Sequence, residues 1–134
     1  MPIKRKSYIR LQSWPPDHAA HAYKKGFYIE AMQVLHAFIE HEAKGFLLMV
    51  GCAHFKARFV KTRHTLDNLD YKHIIAALHA IGKLTSTEAR DLLEINTMRN
   101  TLIHRTFSEP GKDFRLGVVK EEYDRAFRKA MKWA

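Results

Sequence analysis

An all-α fold is what the sequence predicts: an up-and-down helical bundle of four to five helices, two of them long. Three observations predict it. Apolar residues recur at three-to-four spacing along most of the chain, the period of amphipathic helices. No stretch alternates at period two, as a half-buried strand would. Glycines, prolines and a Thr-Ser-Thr-Glu cluster punctuate the periodic segments at helix-length intervals.

In chain order, residues 1–16 read as an irregular basic arm ending at Pro15-Pro16, followed by a single helical domain over 17–134. Asp17 caps a short first helix toward Lys25, and Gly26 punctuates. From Phe27, the residues Ala31, Val34, Leu35, Phe38, Phe46 and Met49 predict one long amphipathic helix to about Val50, with Gly51 as its end. Residues 52–66 have no clear period and read as a loop or a loose helical extension. Leu69, Ile74, Ala77, Leu78 and Ile81 predict a third helix stopped at Gly82. Thr85-Ser86-Thr87-Glu88 is a capping box opening a fourth, which runs to about Thr106. Ser108-Glu109-Pro110-Gly111 is a turn, and Val119, Tyr123, Phe127 and Met131 mark the last helix.

A chain of 134 residues is long enough to bury one sizeable core without staples. The single cysteine, Cys52, rules out an intrachain disulfide and a cysteine-based zinc site, which fits a reducing cytoplasm. The basic amino terminus is not followed by an apolar run, so it is no secretory signal. The longest apolar run, Phe46 to Ala53, is far too short for a bilayer, and no membrane partner is expected.

A net charge of +9 favours a polyanionic partner. Between Glu42 and Asp67 there is no carboxylate, while Lys56, Arg58, Lys61 and Arg63 cluster there with Phe55 and Phe59 interleaved. That mixture suits RNA, where phosphate neutralisation and base stacking act together. Solvated loops that only aid solubility are the competing reading.

The sharpest local pattern is Arg99-Asn100-Thr101-Leu102-Ile103-His104 on the fourth predicted helix. A fixed cation and a proton carrier active near neutral pH are the two groups that chemistry at a phosphate needs. With Arg99 at zero on a helical wheel, Leu92, Ile95, Leu102 and Ile103 fall at about 20°, −40°, −60° and 40°. Arg99 therefore sits inside an apolar stripe, where an unpaired cation costs several kcal/mol. Asn96, Asn100 and His104 form a polar strip beside it, at about 60°, 100° and 140°. On the long helix, Glu42 falls at about 60° from Phe27, inside the apolar face, and is the expected carboxylate partner of Arg99. Such a pair serves equally as a site element or as a structural lock.

These residues resemble the HEPN superfamily, small all-α domains marked by an arginine, a polar residue, a short spacer and a histidine near the end of a long helix. Tyr23-Lys24-Lys25-Gly26-Phe27-Tyr28-Ile29-Glu30-Ala31 is similar to the family's glycine turn into its first long helix, and Ile39-Glu40-His41-Glu42-Ala43-Lys44 to its helix interior. The resemblance spans residues 17–107. It implies a metal-independent endoribonuclease without cofactor, working as a homodimer that brings two motifs into one basic cleft. In that scheme Arg99 and His104 are catalytic and Asn100 supports them, with Glu42, from the wheel, as the supporting partner of Arg99. A toxin, or an RNA-processing or defence factor, with an antitoxin or nucleotidyltransferase partner, fits the same family. The branch partnered with nucleotidyltransferases carries a tyrosine two positions after the histidine, where Thr106 stands here. The alternative within the family is a non-catalytic binding module, the partner of a nucleotidyltransferase or an RNA-binding adaptor.

Other patterns are weaker. His18 with His21, and His36 with Glu40, have metal-ligand spacing but no clear third ligand, so no metal is expected. His41-Glu42 opens like a zinc-protease helix, but Gly45 stands where its second histidine belongs. Cys52 reads as a small buried thiol near a helix end.

Overall fold

Pro15 and Pro16 start the first helix because proline at N1 gives up an amide that a helix start leaves unpaired anyway. The computed structural model describes residues 5–106 and 117–134 and shows six helices among them, with no strand. They are α1 (Pro15–Lys24), α2 (Tyr28–His54), α3 (Phe59–Asp67), α4 (Tyr71–Ala80), α5 (Ser86–Thr106) and α6 (Lys120–Trp133). The all-helical class is as expected. Helix α1 begins inside the segment expected to be arm, and the expected turn at Ser108 to Gly111 lies outside the described residues.

Two glycines stop helices by the same device. Gly26 follows α1 with φ +82° and Gly82 follows α4 with φ +77°, a left-handed conformation that costs a side-chain-bearing residue energy. At the first, Phe27 N–H donates to Ala22 at 2.8 Å and Gly26 N–H to Tyr23 at 3.0 Å. At the second, Lys83 N–H reaches Leu78 at 2.9 Å and Gly82 N–H reaches His79 at 3.0 Å. Both are Schellman caps, which satisfy terminal carbonyls and turn the chain. The capping box opens α5 as expected: Glu88 N–H donates to Thr85 Oγ1 at 3.1 Å, and Thr85 N–H to Glu88 Oε1 at 2.9 Å.

Gly51 does not end the long helix. Helix α2 runs through it to His54, and the Gly51 carbonyl accepts from both Phe55 (3.0 Å) and Ala57 (3.1 Å) as the chain leaves the helix. The turn is made at Lys56, whose φ is +51°. The segment expected as a loop or loose extension then forms α3, held down by Leu66, its one buried residue. Leu66 joins Leu48, Ile74 and Leu78 in a small second core beneath α3, against which the half-buried Cys52 packs. One anchor in nine residues leaves little period to read, so contact with α2 and α4 decides this helix.

Helix α2 touches all five other helices. Its Met32, Leu35 and Ile39 form the middle of the main core with Ala19 and Ala22 of α1, Ile75 of α4, Leu92 and Ile95 of α5, and Tyr123 and Phe127 of α6. Helix α6 is fastened at its start by Tyr123, whose hydroxyl donates to the Tyr28 carbonyl at 2.5 Å. Farther along, Lys129 bridges Asp91 and Glu94 of α5. Among the described residues no helix is long and apolar enough to cross a membrane.

Ile95 of α5 is fully buried in the main core. Truncation in Ile95→Ala leaves a cavity and is expected to lower unfolding free energy by about 2–5 kcal/mol. Denaturant unfolding measures it, and a loss below about 1 kcal/mol would mean that this core is not packed as described.

Candidate functional site

A stripe of large apolar residues on α5 carries one cation. Leu92, Ile95 and Leu102 are buried as the helical wheel requires, and Arg99 lies half-buried among them. Among the described residues no carboxylate pairs with it. Its Nε donates to Gln33 Oε1 of α2 at 2.9 Å, and its Nη1 donates to Asn100 Oδ1 at 3.0 Å. Two neutral amide oxygens orient the guanidinium without cancelling its charge. The remaining N–H groups are free to donate to a ligand.

Below Arg99 lies a second polar contact across the same interface. His36 of α2 is 5% exposed, and its Nε2 stands 2.8 Å from Asn96 Oδ1. An amide oxygen only accepts, so Nε2 carries the proton in this contact. The imidazole also stacks on Tyr71 of α4, with ring centres 4.3 Å apart. The Tyr71 hydroxyl in turn donates to the Leu92 carbonyl at 2.8 Å. Burial pushes the His36 pKa down, opposed by its hydrogen bond to Asn96 and reinforced by the nearby Arg99 charge. Burial likewise raises the Tyr71 hydroxyl, with the Glu40 charge adding to the effect.

These groups floor a polar cavity of about 350 Å³ at the junction of α2, α4 and α5. Asn96, Arg99 and Asn100 line it from α5 and His36 and Glu40 from α2, with exposed Asp70 and Lys72 beside Tyr71. Arg99 and Asn100 are therefore brought together. His104 is not among the lining residues: it is exposed on the last turn of α5.

The expected Arg99–Glu42 pair does not form. Glu42 is exposed, and the hydrogen bonds of Arg99 go to Gln33 and Asn100 instead. The reason is a change in which side of α2 is covered. Up to Ile39 the buried side faces the main core, whereas farther along Leu48 turns into the small core beneath α3. The stripe through Glu42 continues as Phe46 and Met49, which are 43% and 69% exposed, so no described helix covers it. Glu40, which the wheel places outside the apolar face, is the α2 carboxylate that lines the cavity with Arg99, and it also pairs with Lys44 at 3.3 Å.

Lys56, Arg58, Lys61 and Arg63 are all exposed, on the α2–α3 turn and α3, beside exposed Phe55 and Phe59. His18 is engaged with Glu30 at 3.1 Å. Sequence reasoning missed Gln33 and the structural partnership of His36. A histidine one residue after Leu35 and three before Ile39, at the margin of the buried face, was the available signal.

His36 also predicts an acid response. The unfolded chain takes a proton at an ordinary histidine pKa of about 6.5, whereas the folded chain resists until lower pH. This contribution to stability is whole above about pH 6.5 and is lost as pH falls through the folded pKa. Denaturant unfolding at pH 7.5 and pH 5.0 should show a loss in the parent and a smaller one in His36→Gln; equal losses would contradict a buried neutral imidazole.

The chain matches no protein-family model, no curated protein and no solved structure.

Proposed function

We propose that the protein is a metal-independent endoribonuclease of HEPN type that acts on RNA as a homodimer. The observation that carries the reading is Arg99: a half-buried guanidinium held by Gln33 and Asn100, with no carboxylate partner among the described residues and with donors left over. A group arranged in this way stabilises charge growing on phosphoryl oxygens without reorganising. The exposed cations Lys56, Arg58, Lys61 and Arg63, with Phe55 and Phe59 among them, supply a surface for the rest of the strand.

The reaction needs no outside reactant until product release. The 2′-hydroxyl attacks its own phosphorus, the new 2′-O–P bond forms as the P–O5′ bond breaks, and a cyclic phosphate and a free 5′-hydroxyl remain. A base takes the 2′-hydroxyl proton and an acid supplies one to the leaving oxygen. A histidine does either near neutral pH, the role assigned to His104. Arg99 and His104 are about 140° apart around one helix, so a twofold pairing that offers the His104 of a second copy completes the site. A toxin, or an RNA-processing or defence role, with a neutralising partner, accords with this activity. The exposed position of His104, away from the cavity, favours the second reading, a module that binds RNA or a nucleotidyltransferase without cleaving.

Incubation of purified protein with RNA in chelator separates the two. The parent should cleave and leave cyclic phosphate ends, while Arg99→Ala and His104→Ala should fall by about 10²-fold or more. Cleavage absent from all three leaves only binding, and cleavage equal in all three removes Arg99 and His104 from the reaction.

Neutralising Lys56, Arg58, Lys61 and Arg63 should weaken RNA binding and flatten the dependence of log K on log salt by up to about three units of slope, at about 0.7 per lost phosphate contact. An unchanged slope would assign those residues to solubility alone.

A further inference from the structure

The direction in which an amide side chain points follows from what already holds its oxygen. Arg99 can only donate, so its contact takes Asn100 Oδ1 and turns the Asn100 NH₂ away from it. His36 Nε2 does the same to Asn96, whose Oδ1 is held at 2.8 Å from beneath. Both asparagines line the cavity from α5, four residues apart on one face of the helix. Their free amino groups and the unused N–H groups of Arg99 make that wall a row of donors. On the α2 side stands Glu40, which accepts only. Lys44 holds its Oε1 at 3.3 Å, leaving lone pairs for a ligand donor.

Charge narrows the ligand further. The protein as a whole carries +9, yet the cavity is lined by two cations, Arg99 and Lys72, and two carboxylates, Glu40 and Asp70. A phosphate dianion placed there would meet both carboxylates. A neutral ligand with an acceptor beside a donor suits the lining better, and about 350 Å³ lies within the usual range for a small-molecule site.

We infer that the cavity between α2, α4 and α5 is a nucleobase pocket selective for keto bases, guanine and uracil. Each has a carbonyl oxygen next to a ring N–H. The carbonyl faces the amino groups of Asn96 and Asn100, leaving the spare N–H groups of Arg99 for the phosphodiester, and the ring N–H faces the Glu40 carboxylate. Adenine and cytosine present the reverse, an amino donor next to a ring acceptor, which sets donor against donor and lone pair against lone pair. A site built to pair with one pattern rejects the other strongly, because its own polar groups are then left unmatched. His36 is a positioning residue: it holds Asn96 in the orientation that presents the donor. The inference rests on the ribonuclease reading only in taking RNA bases as the ligand, and it assigns to that enzyme a preference for guanosine or uridine near the cleaved bond.

Isothermal titration of the full chain with guanosine, uridine, adenosine, cytidine and inorganic phosphate tests it. Guanosine and uridine should bind about 10-fold or more tightly than the other three. Glu40→Gln should reduce that preference. Asn96→Asp, of the same shape, exchanges a donor for an acceptor facing the cavity and should move the preference toward adenosine and cytidine. Equal binding of all four nucleosides, binding of phosphate alone, no nucleoside binding, or an unaltered preference in both variants overturns the proposal. Because nucleosides have no bond to cleave, the result does not depend on the enzyme reading. A selective pocket in a protein that does not cleave RNA would refute the nuclease alone.

Discussion

Each of the other described helices packs against α2, and that constraint organises the rest. A helix of 27 residues extends about 40 Å, longer than one small core can cover. The chain meets the excess by covering its two halves from different sides. Helices α1, α5 and α6, with Tyr71 and Ile75 of α4, surround the amino-terminal half, and α3 with Ile74 and Leu78 of α4 closes over the carboxy-terminal half. Between the two coverings α2 presents polar residues to α4 and α5, and the polar cavity occupies that junction.

The cavity depends on buried polar groups meeting partners across the α2–α5 interface. His36 and Arg99 would each be costly in an apolar interior if unmatched. Asn96 matches the first and Gln33 the second, so each helix supplies one amide to the other's titratable or charged group. Neutral partners satisfy hydrogen bonding without cancelling charge, unlike a carboxylate. The consequence is electrostatic: a guanidinium whose charge a salt bridge would have offset stays without a direct carboxylate partner at the cavity among the described residues.

The same contacts that hold the helices together set the polarity of the wall. Asn96 and Asn100 accept from within the protein and donate outward, so the cavity's hydrogen-bonding pattern is fixed by the packing beneath it. His104 stands apart from this arrangement, on the exposed end of α5. The basic surface on α3 is likewise separate from the cavity lining.

Read alone, the sequence determined the helical class, the glycine caps at Gly26 and Gly82, the capping box at Thr85 and the placement of Arg99 on a buried stripe. Each is local or periodic. Caps involve residues a few positions apart, and a helical wheel needs only the 3.6-residue repeat. Tertiary structure decided what periodicity does not contain: that α3 forms around Leu66, that Glu42 faces outward while Glu40 turns to the cavity, and that Gln33 rather than a carboxylate meets Arg99. The physical reason is the same in each case. A wheel ranks the faces of one helix, but which face is covered, and by which polar atoms, is set by neighbours that lie far away in the chain.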